Sequence, residues 1–517
     1  MALSSRSLLL FAWTLLVVPF GCRRADDRAG EALSTITVLY YGDEWVLSPS
    51  WNSTAAHLVF LPLVANDANG ELESRLARSW EHSPDYRTWT VHLRTDVRWH
   101  DGVPVTAHDV KFSMDLLSHP DVHDMPGAFS ITVLDDSTYT ITYRRSTGGN
   151  PGDDYTVYYP KHLLDRLDPK ELAEWEFWTH PVGNGPYRYV RHVPKTMIEL
   201  EANPDYFRGA PRIDRVVLKF AEVESPLTEL LSGNVDVVQY AGPSDLLKLA
   251  DDPRFRVYES FVPANTKAIF WNQHHPLFRD PDVRRALTLA INRRELVQVL
   301  NMPAETPIFD VIFSGRQFSR GQIPRPLPYD PERASQLLEA AGWRDSDGDG
   351  VRDRDRLPFR FTALVSAGQD LEPAAEFIQA QLRQVGIRMD IQILDLNAAE
   401  QRVQAGDFEA AITFFFMFSS SAVRPGPLLL FGEDSPIGYV NPRVTTLLEQ
   451  AQASMNPDEI DRIHSEIMPI FQVDLPVTFL YPSVFATVAH RRVHGLSSPD
   501  RTEAVMHMEE LWLEDED

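Results

Sequence analysis

The sequence predicts a large α/β protein, because segments typical of strands and segments typical of helices are mixed along the whole chain. Apolar and polar residues alternate in Thr35–Tyr41, Thr138–Tyr143 and Phe359–Val365, with the period of two that is typical of strands. No internal repeat and no low-complexity segment interrupts the mixture. Strands interspersed with helices are typical of an α/β protein.

Helices are predicted where a capping residue and a proline precede an amphipathic run. Asp280 and Pro281 stand before VRRALTLAINRRELVQVL, in which Val283, Leu287 and Ile291 share one face. We therefore expect one helix over this run. Three further helices are predicted: from Pro331 to a terminating Gly342, from Pro457 onward, and from Glu372 to Val385 before Gly386.

The composition limits the classes of partner. The chain has 517 residues, which by length suggests about three domains, and its 43% hydrophobic content is ample for large cores. The net charge of −25 argues against nucleic-acid or anionic-membrane partners, because those need basic surface. Acidic and basic residues are interspersed, as on a well-solvated surface.

The amino terminus predicts export. The apolar run Leu8–Val18 ends at Pro19 and is too short to span a bilayer as a mature helix, which is typical of a secretory signal. Cys22, the one cysteine of the chain, follows it and resembles the lipidated cysteine of bacterial lipoproteins. Gly21 suits the small residue before the cut, whereas Pro19 and Phe20 depart from the usual pattern. A signal without lipidation is the alternative.

Motifs for catalysis are missing from the sequence. It contains no GxxxxGK[ST] loop, HExxH, GxSxG or CxxC pattern. The adjacent His274 and His275 point apart on a strand, so they do not form a chelating pair. The His-Asp pair within Trp99–Gly102 is explained more simply as a turn. We therefore predict no enzyme activity and no cofactor; a secreted hydrolase would need a nucleophile or metal set that these residues do not supply.

One acidic loop, WRDSDGDGVRD, raises the question of calcium. Asp345, Asp347 and Asp349 occupy the first, third and fifth positions of an EF-hand-type loop, with Gly350 at the sixth. The twelfth position is Arg356, whose charge repels a cation. The weak calcium candidates are Asp345, Asp347, Asp349 and Asp353. The alternative, which we favour, is a surface turn, since aspartate and glycine are both common in turns.

A resemblance to a known family begins in LARSWEHSPDYRTWTVHLRTDVRWHDGVPVTAHDVKFSMDLL, from Leu76 to Leu117. This stretch consists of two amphipathic strands, a turn at Asp101–Gly102, and a helix opened by Thr106 and Asp109 at capping-box spacing. It resembles the signature region of the bacterial family 5 extracellular solute-binding proteins. That family includes the oligopeptide-, dipeptide- and nickel-binding components of ABC importers.

The resemblance continues in consistent order over nearly all of the mature chain. It includes GNGPYRYVRHVPKTMIELEANPDYFRGAPRIDRVVLKF, although the family commonly has a threonine where Asn184 stands. Further matching segments are LSGNVDVV, PLFRDPDVRRALTLAINRRELV, YDPERASQLLEAAGW, AEFIQAQLRQVGIRMDIQILD, NPRVTTLLEQA and DLPVTFLYP.

The resemblance implies a two-lobed, periplasmic-binding-protein-like fold of type II, with an extra subdomain in lobe one. Two crossover strands near Ser260–Asn272 and Pro476–Ser483 would form the hinge. The expected domains are a signal peptide at 1–22, a tether at 23–33, lobe one at 34–265 plus 483–517 with the extra subdomain at 62–180, and lobe two at 266–482.

The same resemblance implies ligand capture between the lobes and delivery to an ABC importer. We expect a monomer in the periplasm or at the cell surface, held by lipid on Cys22, with permease subunits as partners and a peptide or peptide-like ligand. ATP hydrolysis would belong to a separate subunit. The alternatives are a sensory or scaffolding protein with this fold, and a non-peptide ligand such as a metal chelate or an oligosaccharide.

The ligand contacts are harder to predict. Peptide-binding members place an aspartate after an aromatic-rich strand of lobe two, where it pairs with the α-ammonium group of the peptide. The corresponding stretch Ala410–Pro427 has no acidic residue, whereas its Arg424 could pair with a carboxylate or phosphate. A buried core strand is the alternative for Phe414–Phe418. The candidate ligand contacts are Tyr40, Tyr41, Trp271, Asn272, Phe416, Ser419, Ser420, Arg424 and Tyr439.

Overall fold

The structure is a computed structural model, and it describes residues 33–40, 55–66, 72–119, 122, 129–144, 156–220, 226–239, 246, 249, 252–368, 370–416, 431, 435–454, 456–497, 504–505 and 507–514. The elements below belong to one compact unit, Ser34–Asp517.

The strands are β1 (Thr35–Tyr40), β2 (Val64–Asn66), β3 (Leu72–Ser74), β4 (Ala77–His82), β5 (Thr88–Leu93), β6 (Phe129–Asp135), β7 (Thr138–Tyr143), β8 (Tyr187–Val193), β9 (Met197–Ala202), β10 (Arg215–Phe220), β11 (Val237–Val238), β12 (Phe255–Trp271), β13 (Asp353–Arg354), β14 (Leu357–Pro358), β15 (Arg360–Ser366), β16 (Arg388–Leu394), β17 (Ala410–Phe416), β18 (Val477–His490), β19 (Val493–His494) and β20 (Trp512–Leu513).

The α-helices are α1 (Ala56–Val59), α2 (Ala107–Leu117), α3 (Lys161–Leu164), α4 (Pro226–Leu231), α5 (Pro281–Leu289), α6 (Arg293–Val299), α7 (Gly315–Ser319), α8 (Pro331–Ala340), α9 (Leu371–Gln384), α10 (Leu396–Gln404), α11 (Pro442–Ala453) and α12 (Pro457–Asp474). Short 3₁₀ helices cover Pro169–Glu174, Glu176–Thr179 and Met508–Glu510. No helix in the described part of the chain combines the length and the apolar content needed to cross a bilayer.

One ten-stranded sheet organises the molecule, in the order β16-β15-β17-β12-β18-β11-β1-β10-β9-β8. The long strands β12 and β18 lie side by side near its middle and pair antiparallel over most of their length. We call β11, β1, β10, β9 and β8 the first half-sheet, and β17, β15 and β16 the second half-sheet. A separate four-stranded sheet has the order β4-β5-β7-β6.

The apolar core is divided in the same way. Two clusters of buried residues take their members from 36–255 and 486–511, on the side of the first half-sheet. Two other clusters take theirs from 268–481, on the side of the second half-sheet. Strands β12 and β18 contribute to clusters on both sides, so they connect the two sets of clusters.

Most of the predicted elements are confirmed. Strands β1, β7 and β15 lie where alternation predicted them, within a residue at each end. Helix α2 begins with the predicted capping box of Thr106 and Asp109. Helices α8, α9 and α12 begin within a residue of the predicted starts, and Gly342 and Gly386 follow α8 and α9 with positive φ.

The prediction of one continuous helix after Pro281 is wrong. Helix α5 ends at Leu289, and α6 begins after Asn292, whose side chain accepts a hydrogen bond from the backbone N–H of Glu295. Asparagine favours such caps over helix interiors, because its amide competes with the helical hydrogen bonds. Asn292 therefore ends one helical run and starts another, although the apolar period continues through both.

The His-Asp pair near residue 100 is structural. Gly102 has a φ of +91°, and the backbone N–H of Val103 donates to Asp101 Oδ1, which confirms the predicted turn. His100 Nδ1 lies 3.2 Å from the backbone N of Gly183 and accepts from it, so Nε2 carries the proton that is donated to the carbonyl of Gly185 at 3.1 Å. The hydrogen bonds of both ring nitrogens therefore favour the neutral form of His100.

Burial lowers the pKa of His100 from 6.5 to about 4. Between these two values the folded chain binds fewer protons than the unfolded chain, so stability falls as the pH falls from 6.5 to 4. Linkage puts the loss from this residue at about 3 kcal/mol.

We expect His100→Gln to reduce the pH dependence of the free energy of unfolding in urea between pH 6.5 and pH 4. The exposed His108→Gln is the control, and an unchanged slope in the His100 variant would contradict the assignment.

Candidate functional site

The parallel strands of the first half-sheet end toward the second half-sheet. Strand β1 is parallel to β10 and β11, and β11 is antiparallel to β18, with Val237 opposite Ala489 and Val238 opposite Val488. The carboxyl end of β11 therefore points along β18 in the direction of Ser483. The carboxyl ends of β1, β10 and β11 all point in that direction.

The second half-sheet is arranged in the opposite sense. Strands β15, β16 and β17 are mutually parallel, and β17 runs antiparallel to β12, from Ala410 opposite Trp271 to Phe416 opposite Asn265. The carboxyl ends of these three strands therefore point back along β12, toward its middle. Since open α/β sheets bind ligands outside the carboxyl ends of their strands, the two sets of ends face one candidate site.

The pairing of β12 with β18 is irregular at this place. Val262 lies opposite Ser483, but the next pair is Thr266 opposite Pro482. Strand β12 thus has three extra residues between two pairs that are consecutive on β18. Extra residues of this kind form a bulge, which bends and twists a strand pair. The two half-sheets are joined through this interruption.

Lys267 is the buried charge at the candidate site. It is 6% exposed, and its Nζ donates to Ser483 Oγ at 2.6 Å and lies 3.4 Å from Asp370 Oδ2. The same nitrogen is 5.0 Å from the ring centroid of Phe414 and 5.9 Å from that of Tyr481. We call these five residues the Lys267 cluster.

Asp370 is directed toward Lys267 and away from its own helix. It occupies the N-cap position of α9, where an aspartate normally accepts hydrogen bonds from the first turn. The Asp370 side chain makes no capping hydrogen bond, and it is 24% exposed. The carbonyl of Asp370 accepts from the Tyr481 hydroxyl at 3.3 Å. The ion pair therefore opens to solvent on the aspartate side.

Burial dominates the electrostatics of Lys267. It lowers the pKa of the ammonium group, and the attraction and hydrogen bond of Asp370 oppose that shift without cancelling it. Asn265, two residues earlier, shares the face of β12 on which Lys267 lies, because they pair with Phe416 and Phe414 respectively. Among the described residues, Asn265 Oδ1 is buried without a hydrogen-bond partner.

The first half-sheet also brings polar groups to its carboxyl edge. Tyr40 ends β1 and is buried, and Gln239 follows β11 and is 1% exposed. Gln239 Oε1 accepts from the backbone N–H of Val505 at 3.0 Å. Within the described ranges, its Nε2 is a buried donor with no acceptor.

Three of the predicted ligand contacts lie in the core at the other end of the second half-sheet. Trp271 Nε1 donates to Thr478 Oγ1 at 3.0 Å, Asn272 Nδ2 donates to the carbonyls of Gly406 and Phe408, and the Tyr439 hydroxyl lies 2.7 Å from Asp474 Oδ2. Trp271 is four residues beyond Lys267, about 13 Å along an extended strand. We leave these three out of the candidate site.

The other predicted contacts are divided. Tyr40 and the backbone of Phe416 end strands at the candidate site. Tyr41, Ser419, Ser420, Arg424 and Cys22 lie outside the described residues.

The acidic loop forms the predicted turn. Asp345 accepts from the backbone N–H groups of Gly348 and Gly350, and Asp347 and Asp349 each accept from a backbone N–H two residues on. Three of the four candidate carboxylates approach within 4.8 Å of one another and are exposed. The fourth, Asp353, accepts instead from the backbone and hydroxyl of Ser346.

Two residues of the Lys267 cluster carry a signal that sequence reasoning left unused. Lys267 is the one charged residue in the run Ala264–Asn272, and strand alternation puts it on the same face as Asn265. Asp370 stands at the N-cap position of α9, where its side chain makes no capping hydrogen bond and instead lies 3.4 Å from Lys267 Nζ. Their proximity across 103 positions depends on the sheet order, which brings β15 and the connection that follows it near β12.

Comparison with known proteins decides the family. The profile of the bacterial extracellular solute-binding proteins, family 5 (middle), matches residues 71–425. The chain belongs to this family. The two-lobed α/β fold expected from the sequence is thereby confirmed, as is a solute-binding role in delivery to an importer.

Curated relatives match most of the chain. The oligopeptide-binding protein AppA of Bacillus subtilis is 27% identical over 82% of this chain and 81% of its own length. The glutathione-binding protein GsiB of Pectobacterium atrosepticum is 25% identical over 96% of both. The structure of AppA with a nonapeptide has a TM-score of 0.67 at 24% identity, covering 93% of this chain and 99% of that one. NikA of Brucella suis with Fe(III)-EDTA has a TM-score of 0.77 at 18% identity, covering 93% and 100%.

We expect calcium at millimolar concentration to leave the melting temperature unchanged, because backbone N–H groups already occupy the loop carboxylates and Arg356 stands at the twelfth position. Thermal unfolding with added calcium and with chelator measures this. A rise in melting temperature that disappears in Asp347→Asn would contradict the turn assignment and restore a calcium site.

Proposed function

We propose that this family 5 protein is an extracytoplasmic lipoprotein that captures a peptide or peptide-like solute between two lobes and delivers it to an ABC importer. The observation that carries the proposal is the opposition of the two half-sheets, whose parallel strands end toward the same interruption of β12 and β18. A ligand held there would touch residues from both sides.

The proposed lobes are 34–265 plus 483–517, with an extra subdomain at 62–180, and 266–482. The division of the apolar core supports these bounds, because its clusters separate between 255 and 268 and between 481 and 486. The irregular pairing around Val262 and Ser483 is the proposed hinge, since few hydrogen bonds must change there when the lobes rotate. Ligand contacts to both lobes would favour the closed state over the open one.

Peptides are the proposed ligand class for two reasons. The curated relatives include an oligopeptide-binding protein and a glutathione-binding protein, each matching more than four fifths of this chain. The candidate site also offers strand ends, buried polar side chains and aromatic rings, which suit an extended peptide with its alternating backbone and side-chain groups.

The first prediction for this proposal concerns the bound solute. Protein purified from its own host under native conditions should carry a ligand that native mass spectrometry resolves as a ladder of peptide masses. Removal of the ligand by mild denaturation and refolding should lower the melting temperature, because a ligand that binds the folded state alone stabilises it.

The added mass also discriminates between ligand classes. A single added mass with a metal isotope pattern would favour a metal chelate over a peptide, and a series spaced by hexose units would favour an oligosaccharide. A mass equal to that of the bare chain, together with no change of melting temperature on adding short peptides, would contradict the peptide proposal and favour a sensory or scaffolding role.

A second prediction concerns the anchor. We expect Cys22→Ala to move the protein from the membrane fraction to the soluble extracytoplasmic fraction, because the variant lacks the acyl chains that would anchor the protein through Cys22. Fractionation with immunodetection measures the change, and mass analysis of the mature amino terminus provides an independent readout. Equal distribution of the wild type and the variant would contradict lipidation.

A further inference from the structure

The Lys267 cluster contains a charge that its surroundings do not saturate. An ammonium group has three N–H donors. Within the described residues, Lys267 Nζ has one short hydrogen bond, to Ser483, and one longer ionic contact of 3.4 Å, to Asp370. The desolvation of Lys267 is compensated only in part, since burial outweighs the aspartate in setting its pKa. An additional acceptor would therefore be bound strongly.

The position of the charge is that of a ligand contact. Lys267 is the second residue of β12 to pair with β18 after the interruption at Val262, and it lies where β15 and β17 direct their carboxyl ends. Ser483 pairs with Val262, which is the last pair of β12 and β18 on the side of the first half-sheet before the interruption. A group bound at Lys267 would thus lie against the strands that join the two half-sheets.

A comparison within the same chain shows what a purely structural buried cation looks like. Arg293 contacts both carboxylate oxygens of Asp310, at 2.5 and 3.3 Å, and donates to the carbonyls of Phe309, Leu327 and Phe479. That guanidinium is saturated by the protein. Lys267 has no comparable set of acceptors among the described residues, and its aspartate is partly exposed.

We propose that Lys267 binds a carboxylate of the captured solute, while Asn265 Oδ1 on the same strand face accepts a hydrogen bond from an N–H of the solute, so that the protein prefers peptides that present a carboxylate at this position. This inference rests on the proposed peptide-binding function and narrows its substrate class. The carboxylate would replace the long contact to Asp370 as the principal counter-ion and would be flanked by the rings of Phe414 and Tyr481. The carboxyl terminus of a peptide and an acidic side chain supply the same chemistry.

The test uses three series of short synthetic peptides built from alanine, leucine, phenylalanine and serine. The first series has free carboxyl termini, the second has amidated termini, and the third has amidated termini with one internal glutamate. Calorimetric titration of the refolded, ligand-free wild type should give tighter binding of a carboxylate-bearing series than of the amidated one by roughly tenfold or more, as expected for a charge-assisted hydrogen bond.

The variants separate recognition from packing. Lys267→Met should remove this preference while still binding the amidated series, and Lys267→Arg should keep the preference. Preference for the first series identifies the terminal carboxylate, and preference for the third identifies a side chain. Lys161→Met is the matched control, because Lys161 is a partly exposed lysine on α3, paired with Asp165, and its removal should leave the preference intact.

The remaining outcomes are distinct. Equal binding of all three series by the wild type, or an undiminished preference in Lys267→Met, would overturn the role of Lys267 and leave the peptide proposal standing. Binding of none of the series by the wild type would overturn the peptide proposal and the role of Lys267 together. The melting temperature of each variant, measured without ligand, shows whether a loss of binding reflects a loss of folding.

Discussion

The backbone pairing of β12 with β18 is the constraint on which the rest of the structure depends. These two strands pair from Phe255–His490 to Phe270–Val477 and carry one sheet through both halves of the molecule. Because β11 is added to β18 and β17 to β12, each in antiparallel fashion, the carboxyl ends of the two half-sheets are forced to face one another. A different pairing at the centre would direct one set of ends away from the site.

The same pairing favours the crossing as the proposed hinge. A continuous ladder resists rotation because every backbone group is held by its neighbour. The ladder is interrupted between Val262 and Thr266, and the buried members of the two largest apolar clusters lie on opposite sides of it in the described part of the chain. Rotation there would disturb neither core, whereas rotation elsewhere along β12 would disrupt packed side chains.

Two buried cations on the second side, Arg293 and Lys267, are surrounded by protein acceptors to different extents. The pair of Arg293 and Asp310 is surrounded by carbonyl acceptors, so it fixes the loop between α6 and α8 to the sheet. Lys267 has a short hydrogen bond to Ser483 and a longer contact to the partly exposed Asp370. Since removing charge from water is costly unless it is paired and hydrogen-bonded, the incomplete pairing of Lys267 is most simply accounted for by a ligand group that completes it.

Features that depend on nearby residues are predictable from the sequence, whereas contacts between distant residues are not. Helix caps such as Asp330, and strand alternation such as that of β7, were predictable because they depend on residues a few positions apart. The division between α5 and α6 was missed since the cap at Asn292 interrupts a helix without interrupting its apolar period. The sequence predicts Trp271 and Asn272 as ligand contacts because they follow the crossing in the chain. Strand β12 is long, however, and these two residues lie at its carboxyl end, away from the candidate site.

The sequence by itself determined the class of fold, the positions of most elements, the turn of the acidic loop and the family, because each depends on local periodicity, caps or an ordered series of matching segments. Only the tertiary structure decided which residues share the site. Lys267, Asp370 and Ser483 come from three separate elements, and their meeting depends on the order and direction of strands in one sheet. That order is fixed by contacts between distant residues, which no local pattern encodes.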